Sequence, residues 1–191
     1  MTTVFPSIGD AHNPEAVTRR NQRITVTDSI LWADRAHPLL IGPEGATGGE
    51  ASEHVTEDIV FQNLDILRSR EANPGFFGAL AIMASDGQTI RNVRYQDIRV
   101  APLEAGNLVD IRFVNNVYTQ GYGRRIENII FRNVTLQGPG VEPNRVHGHD
   151  AHRRVRNVVF ENLIIDDRTV RSAEQGGFDV NAFADDVRFK Q

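Results

Sequence analysis

One short phrase recurs five times along the chain, at Ile24–Leu31, Ile59–Ile66, Val93–Val100, Ile129–Leu136 and Val158–Ile165. Its first residues stand 35, 34, 36 and 29 positions apart. Self-similarity at such a period marks stacked supersecondary units, because each unit needs its neighbours to cover its apolar face. Every copy alternates apolar and polar side chains, with β-branched or aromatic residues at the inward positions, so each reads as a strand.

A second, shorter strand lies between successive copies, at Leu39–Ile41, Ala79–Ile82, Leu108–Phe113, Val146–His147 and Phe178–Val180. Two strands and their turns make one coil. When coils stack, each strand pairs in parallel with its counterparts above and below, which satisfies the backbone groups a lone strand would leave open. The pattern therefore predicts an all-β chain folded as a right-handed, single-stranded parallel β-helix, a solenoid of about five coils. The fifth position of the phrase holds Asp28, Asn63, Asp97, Asn133 and Asn162. These are expected to form an inward polar ladder at a bend, each side chain bonding turn backbone and its neighbour in the stack. The stretches Leu67–Pro74, Pro102–Gly106, Asn115–Arg125 and Gly138–Asn144 are rich in Gly, Pro, Asn and charge and read as loops.

The 191 residues are 40% hydrophobic with a net charge of -4 and no cysteine, which fits one domain with a slender core and excludes thiolate chemistry. Mild acidity argues against a nucleic-acid partner, whose phosphates call for clustered Lys and Arg. No apolar run reaches the roughly 18 residues of a membrane span. Met1–Pro6 lacks the basic and apolar regions of a leader, so the chain as written is expected in the cytoplasm, or outside it if it is part of a longer precursor. Residues 1–22 show no period and read as an irregular N-terminal segment before a β-helix domain at 23–191. Phe183–Gln191 begins a sixth copy. Stack ends need covers, and a homo-oligomer joined through open coil ends would supply them.

The segment Trp32–Gly42, followed by rungs of the Glu-Asn-Ile-Ile-Phe-Arg-Asn-Val type, resembles the pectin-lyase-like superfamily and, more narrowly, the polygalacturonase-type glycoside hydrolases of family 28. Ala36-His37-Pro38-Leu39-Leu40-Ile41-Gly42 matches the His, Ile and Gly of that family's Gly-His-Gly-x-Ser-Ile-Gly motif. The family's Arg-Ile-Lys clamp falls on Asp110-Ile111-Arg112, where the first cation has become an acid. The likeness runs from about residue 22 to the end and covers the C-terminal coils alone. It implies a polysaccharide or oligosaccharide substrate. The coils that carry the family's Asn-x-Asp and Asp-Asp catalytic residues have no counterpart in this sequence. Since glycoside hydrolysis needs two carboxyl groups at a defined separation, the chain is expected to be polysaccharide-directed yet not competent alone. The alternative is a non-enzymatic module that binds carbohydrate or self-assembles.

Parity on the second strand set turns Val109, Ile111 and Phe113 inward and Asp110 and Arg112 outward, near the turn that bears His37. His37 and Asp110 are the catalytic candidates. Arg112, Trp32, Asp34 and Asp86 are the substrate-binding ones, with Glu44 a further carboxylate near the same strand ends. Trp32 offers an aromatic face to a sugar ring or fills a bend. Asp166-Asp167 and Asp185-Asp186 read as turn residues. His147-Gly148-His149-Asp150-Ala151-His152 concentrates nitrogen and oxygen donors, but its spacing is no zinc signature, so neither metal nor cofactor is expected.

Overall fold

The structure, a computed structural model, describes residues 19–43 and 53–191. Among these the chain is all-β, with a short 3-10 turn at Pro74–Phe76 and no α-helix. Long strands form one sheet: β1 (Arg19–Ala33), β3 (His54–Ser69), β5 (Gln88–Val100), β7 (Arg125–Leu136), β9 (Val155–Ile165) and β12 (Ala184–Lys190), with the antiparallel β10 (Arg168–Thr169). Short strands form the other: β2 (Leu39–Ile41), β4 (Leu80–Ala84), β6 (Val109–Phe113), β8 (Asn144–His147) and β11 (Phe178–Val180). The short sheet is parallel throughout, and the long one is parallel except where β10 folds back on β9. Pairing follows the repeat, so Ile24, Ile59, Val93, Ile129, Val158 and Val187 occupy one row. No helix among the described residues is long and apolar enough to cross a membrane.

The core lies between the two sheets. Its spine is a column of rings, Phe61, Tyr95, Phe131, Phe160 and Phe189, with successive centroids 5.0, 4.7, 4.8 and 4.9 Å apart. Those spacings equal the roughly 4.8 Å between neighbouring strands, so each ring stacks on the residue one repeat away. Leu64, Ile98, Val134 and Leu163 make a second column, all essentially inaccessible to solvent.

Each long strand is bent by residues in the left-handed region. Asp28, Asn63, Asp97, Asn133 and Asn162 have φ between 53° and 56°, where Asn and Asp lose least among side-chain-bearing residues. One such residue resets the pleat, which is why the buried positions run Ile59, Phe61 and then Leu64, Ile66. The expected polar ladder is present but faces solvent instead of the core. Asn63 donates to Asp28 Oδ1 at 2.6 Å, Asn133 to Asp97 Oδ1 at 2.7 Å and Asn162 to Asn133 Oδ1 at 3.0 Å. A left-handed residue swings its side chain to the convex side of the bend, leaving the inward positions to the apolar residues beside it. A second ladder stands five residues earlier. There Asn92 donates to Asp58, Asn128 to Asn92 and Asn157 to Asn128, at 3.0, 3.1 and 2.8 Å.

Several boundaries differ from the sequence pattern, and the sixth copy forms as expected. β1 starts at Arg19, ahead of Ile24, because Arg19–Gln22 pairs with His54–Glu57 although it carries no apolar alternation. β12 pairs in register with Val155–Glu161 as the sixth copy, and the remaining edge of β9 is taken by β10 through Asp166 and Asp167, both at positive φ. Two such residues in a two-residue hairpin match the right-handed twist of the strands, so this acid pair is a turn.

Candidate functional site

The outer face of the short sheet carries two adjacent rows. Leu40, Ala81, Asp110, Arg145 and Asp179 occupy one, and Met83, Arg112 and His147 the next. Strand parity thus turns Asp110 and Arg112 away from the core, as the alternation predicts. Asp110 does not meet solvent, and Arg112 is largely covered. The segment Pro74–Phe77 lies across them as a roof: Arg112 Nη2 donates to Gly75 O at 2.6 Å, Arg145 Nη2 donates to Pro74 O at 3.0 Å, and the Arg145 guanidinium sits 5.3 Å from the Phe77 ring centroid. Beneath this roof Asp110 is fully buried. Its Oδ2 accepts from Arg145 Nη2 and stands 3.4 Å from Arg112 Nε.

His37 joins the same group. It precedes β2, is 6% exposed, and its Nδ1–H donates to Gly78 O at 2.9 Å. Gly78 has φ +112° and packs so closely on Asp110 that a Cβ there would lie 2.8 Å from the Asp110 Cβ. Glu71 ties the two loops together by accepting from Ala36 N at 2.9 Å and Asn73 N at 2.7 Å. His37, Asp110 and Arg112 are therefore brought together, with Arg145, His147 and Asp179 added from the next two strands. His147 Nε2 stands 2.9 Å from Asp179 Oδ2. The arginine at 145 escaped the sequence reading because its strand was placed at Val146–His147; the strand begins at Asn144, and Arg145 is the register partner of Asp110.

Burial dominates the electrostatics. It pushes the Asp110 carboxyl above its ordinary range despite the opposing pull of Arg112, Arg145 and His147. It pushes His37 below its usual value, more than the Gly78 carbonyl restores, and the Arg112 charge adds to the depression. His37 is thus a neutral imidazole with its proton on Nδ1 and a bare Nε2. Its pKa is lower folded than unfolded, so the unfolded chain takes up the proton first and stability falls as pH drops below about 6.5. A His37→Gln variant is expected to show a flatter dependence of chemical-denaturation stability across that range; an unchanged slope would show that His37 is solvated.

Five buried polar atoms in this one cluster have no hydrogen-bond partner: His37 Nε2, Asp110 Oδ1, Arg112 Nε, Arg145 Nε and His147 Nε2, of which Arg112 Nε and His147 Nε2 stand 3.4 and 2.9 Å from the carboxylates of Asp110 and Asp179. His37 Nε2 and Asp110 Oδ1 are acceptors, and the two arginine Nε groups are donors. A buried group left unpaired costs about 1 to 3 kcal/mol, so their concentration at one place makes this cluster the candidate site.

The remaining candidates lie elsewhere. Trp32 is 56% exposed on β1 of the long sheet; its Nε1 donates to Asp34 Oδ1 at 3.0 Å, and the Arg68 guanidinium is 5.5 Å from its ring centroid. Trp32 and Asp34 thus form their own surface group with Arg68, which also pairs with Glu104 at 2.6 Å. Asp86 is 4% exposed at φ 49°, and its Oδ1 accepts from Gln120 N at 2.6 Å, anchoring the loop after β6. Glu44 lies outside the described residues. The histidines at 147, 149 and 152 diverge: His147 faces Asp179, the His149 ring stacks on Tyr122 at 3.7 Å, and His152 is exposed with its N–H donating to Asp150 Oδ1. No group of three metal-ligating side chains occurs among the described residues.

These features define an all-β repeat protein with two largely parallel sheets and a roofed polar cluster on the outer face of the shorter one. Comparison with protein-family models, with curated proteins and with solved structures finds no match. None of these comparisons supports the resemblance to polygalacturonase-type hydrolases read from the rungs and the His37 segment.

Proposed function

We propose that the repeats close into a right-handed parallel β-helix of glycoside-hydrolase type whose short-sheet face takes up a polysaccharide or oligosaccharide. In this reading the cluster binds the glycan and does not by itself hydrolyse it. The parallel pairing supports that hand, since crossovers between parallel strands of one sheet are right-handed in about 98% of cases. The observation that carries the binding reading is the mixed set of unpaired groups at His37, Asp110, Arg112 and Arg145. A sugar hydroxyl both donates and accepts, so neighbouring hydroxyls satisfy acceptors and donors together where an ion of one sign satisfies half of them. The carbonyls of Pro74 and Gly75 accept from Arg145 and Arg112 at the positions that glycan oxygens take in this reading.

Hydrolysis needs one carboxyl group to protonate the leaving oxygen and a second to activate water or attack. The carboxylates around this face are committed elsewhere, with Asp110 on two arginines, Glu71 on two backbone N–H groups and Asp179 beside His147. Binding to an array of acidic and neutral oligosaccharides tests the proposal. Wild-type protein is expected to retain a defined subset and release no new reducing ends. Arg112→Lys keeps the charge beside Asp110 but loses the planar fork, and is expected to weaken retention about tenfold or more. No retained glycan, or equal retention by Arg112→Lys, would refute the binding role, and new reducing ends would refute its non-hydrolytic character.

A further inference from the structure

The two end strands of the long sheet complement each other. Among the described strands β1 pairs with β3 alone and β12 with β9 alone, so each presents a second edge that no described strand fills. Both run in the common direction of the parallel stack. Such an edge is a template for one more strand, with its backbone donors and acceptors already set at the pitch of the sheet. Continuing the register of the stack from β12 onto a second copy of β1 sets Ile24 on Val187 and Val26 on Phe189. These four side chains are half-buried, whereas Ile59, Val93, Ile129 and Val158 and the rings Phe61, Tyr95, Phe131 and Phe160 in the same rows are buried. Charge fits that register too. The outer ladder of Asp58, Asn92, Asn128 and Asn157 ends in Arg23 on β1 and Asp186 on β12, and all six have φ between 53° and 58°. Asn and Asp offset the left-handed conformation by bonding local backbone, which an arginine does not, so the turn gives no reason for Arg23. Arg23 and Asp186 are exposed, and Asp186 keeps 54% of its side-chain surface although Arg188 Nε stands 3.1 Å away.

We propose that the partner at both edges is a second copy of this chain, bound head to tail, with β12 of one copy pairing in parallel with β1 of the next. The joint continues every device of the stack. Val26 covers the open face of Phe189, Arg23 takes its place beside Asp186 one strand spacing of about 4.8 Å away, and Lys190 falls on Thr27, next to Asp28. The contact is heterologous, so each added copy offers the same two edges again and the assembly grows with concentration without closing at a fixed number. It holds whatever the polar cluster binds, because it uses the ends of the long sheet and leaves the face of the short one alone.

Sedimentation velocity of the full chain over a wide range of concentration is expected to show a mass that rises past the dimer. Arg23→Asp and Asp186→Arg each bring like charges together at the joint and are expected to weaken association about tenfold or more. The two changes in one chain restore an opposite pair with its signs exchanged. Each introduced residue type already occupies the left-handed conformation at the other position, so the double variant is expected to fold and to associate nearly as well as wild type. Because Arg23 and Asp186 stand on the first and last strands of the long sheet, that rescue acts between copies and not within one. A monomer at every concentration means that the edges are covered within one copy and overturns the proposal. An assembly that stops at the dimer, single variants that associate as wild type does, or a double variant no better than the single ones overturns it equally.

Discussion

Asp110→Ala is expected to lower the folding free energy by about 3 to 5 kcal/mol, the cost of stranding a buried charge by removing its partner. Arg112 and Arg145 each keep only 19% of their side-chain surface exposed, and Asp110 is the carboxylate that both of them face. Without it, two guanidinium groups stay in contact beneath Pro74–Phe77 with backbone carbonyls as their remaining acceptors. The outcome is a lifted roof, hydration of the face and loss of the packing of Phe77 on Arg145. Chemical denaturation gives the free energy, and protease sensitivity at residues 71–77 reports the roof. A loss below about 1 kcal/mol, the scale of an exposed ion pair, would mean that the cluster is open to water and that its unpaired atoms are solvated.

Phe131→Ala is expected to cost a similar amount, about 3 to 5 kcal/mol, for a different reason. Its ring has no exposed surface and stacks on Tyr95 at 4.7 Å and on Phe160 at 4.8 Å, so truncation opens a cavity between two rings that the stack holds one strand spacing away on either side. For a chain of this size the thermal midpoint should fall by on the order of 10 °C. Phe189→Ala, at the half-buried end of the same column, should cost distinctly less because that ring stacks on Phe160 and meets Phe178 edge-on at the end of the stack, where the site relaxes into solvent. Equal losses at the two positions would show that the column does not carry the core as its spacings suggest.

Much of this fold is readable along the chain because a parallel stack repeats the same local instruction. The alternation in Ile59–Ile66 and its four counterparts specifies both the strand and its buried side, and the constant period specifies the register. The second left-handed ladder was legible too, since Asp58, Asn92, Asn128 and Asn157 each stand just before a copy of the phrase. Parity likewise placed Asp110 and Arg112 on the outer face of the short sheet.

The direction of the Asn and Asp ladder was beyond reach of that parity, because a left-handed residue breaks the alternation on which parity rests. The roof over Asp110 was equally hidden. Leu67–Pro74 reads as a loop from composition, and whether a loop stands in solvent or lies on a neighbouring sheet depends on which acceptors meet which donors in space. Here the carbonyls of Pro74 and Gly75 meet guanidinium groups 71 and 37 residues away. Periodic, short-range physics thus determined from the sequence alone that the strands stack, which residues fill the core and where the bends fall. The tertiary structure decided that the charged face is closed and which of its atoms lack partners, because those depend on single non-repeating contacts between distant segments.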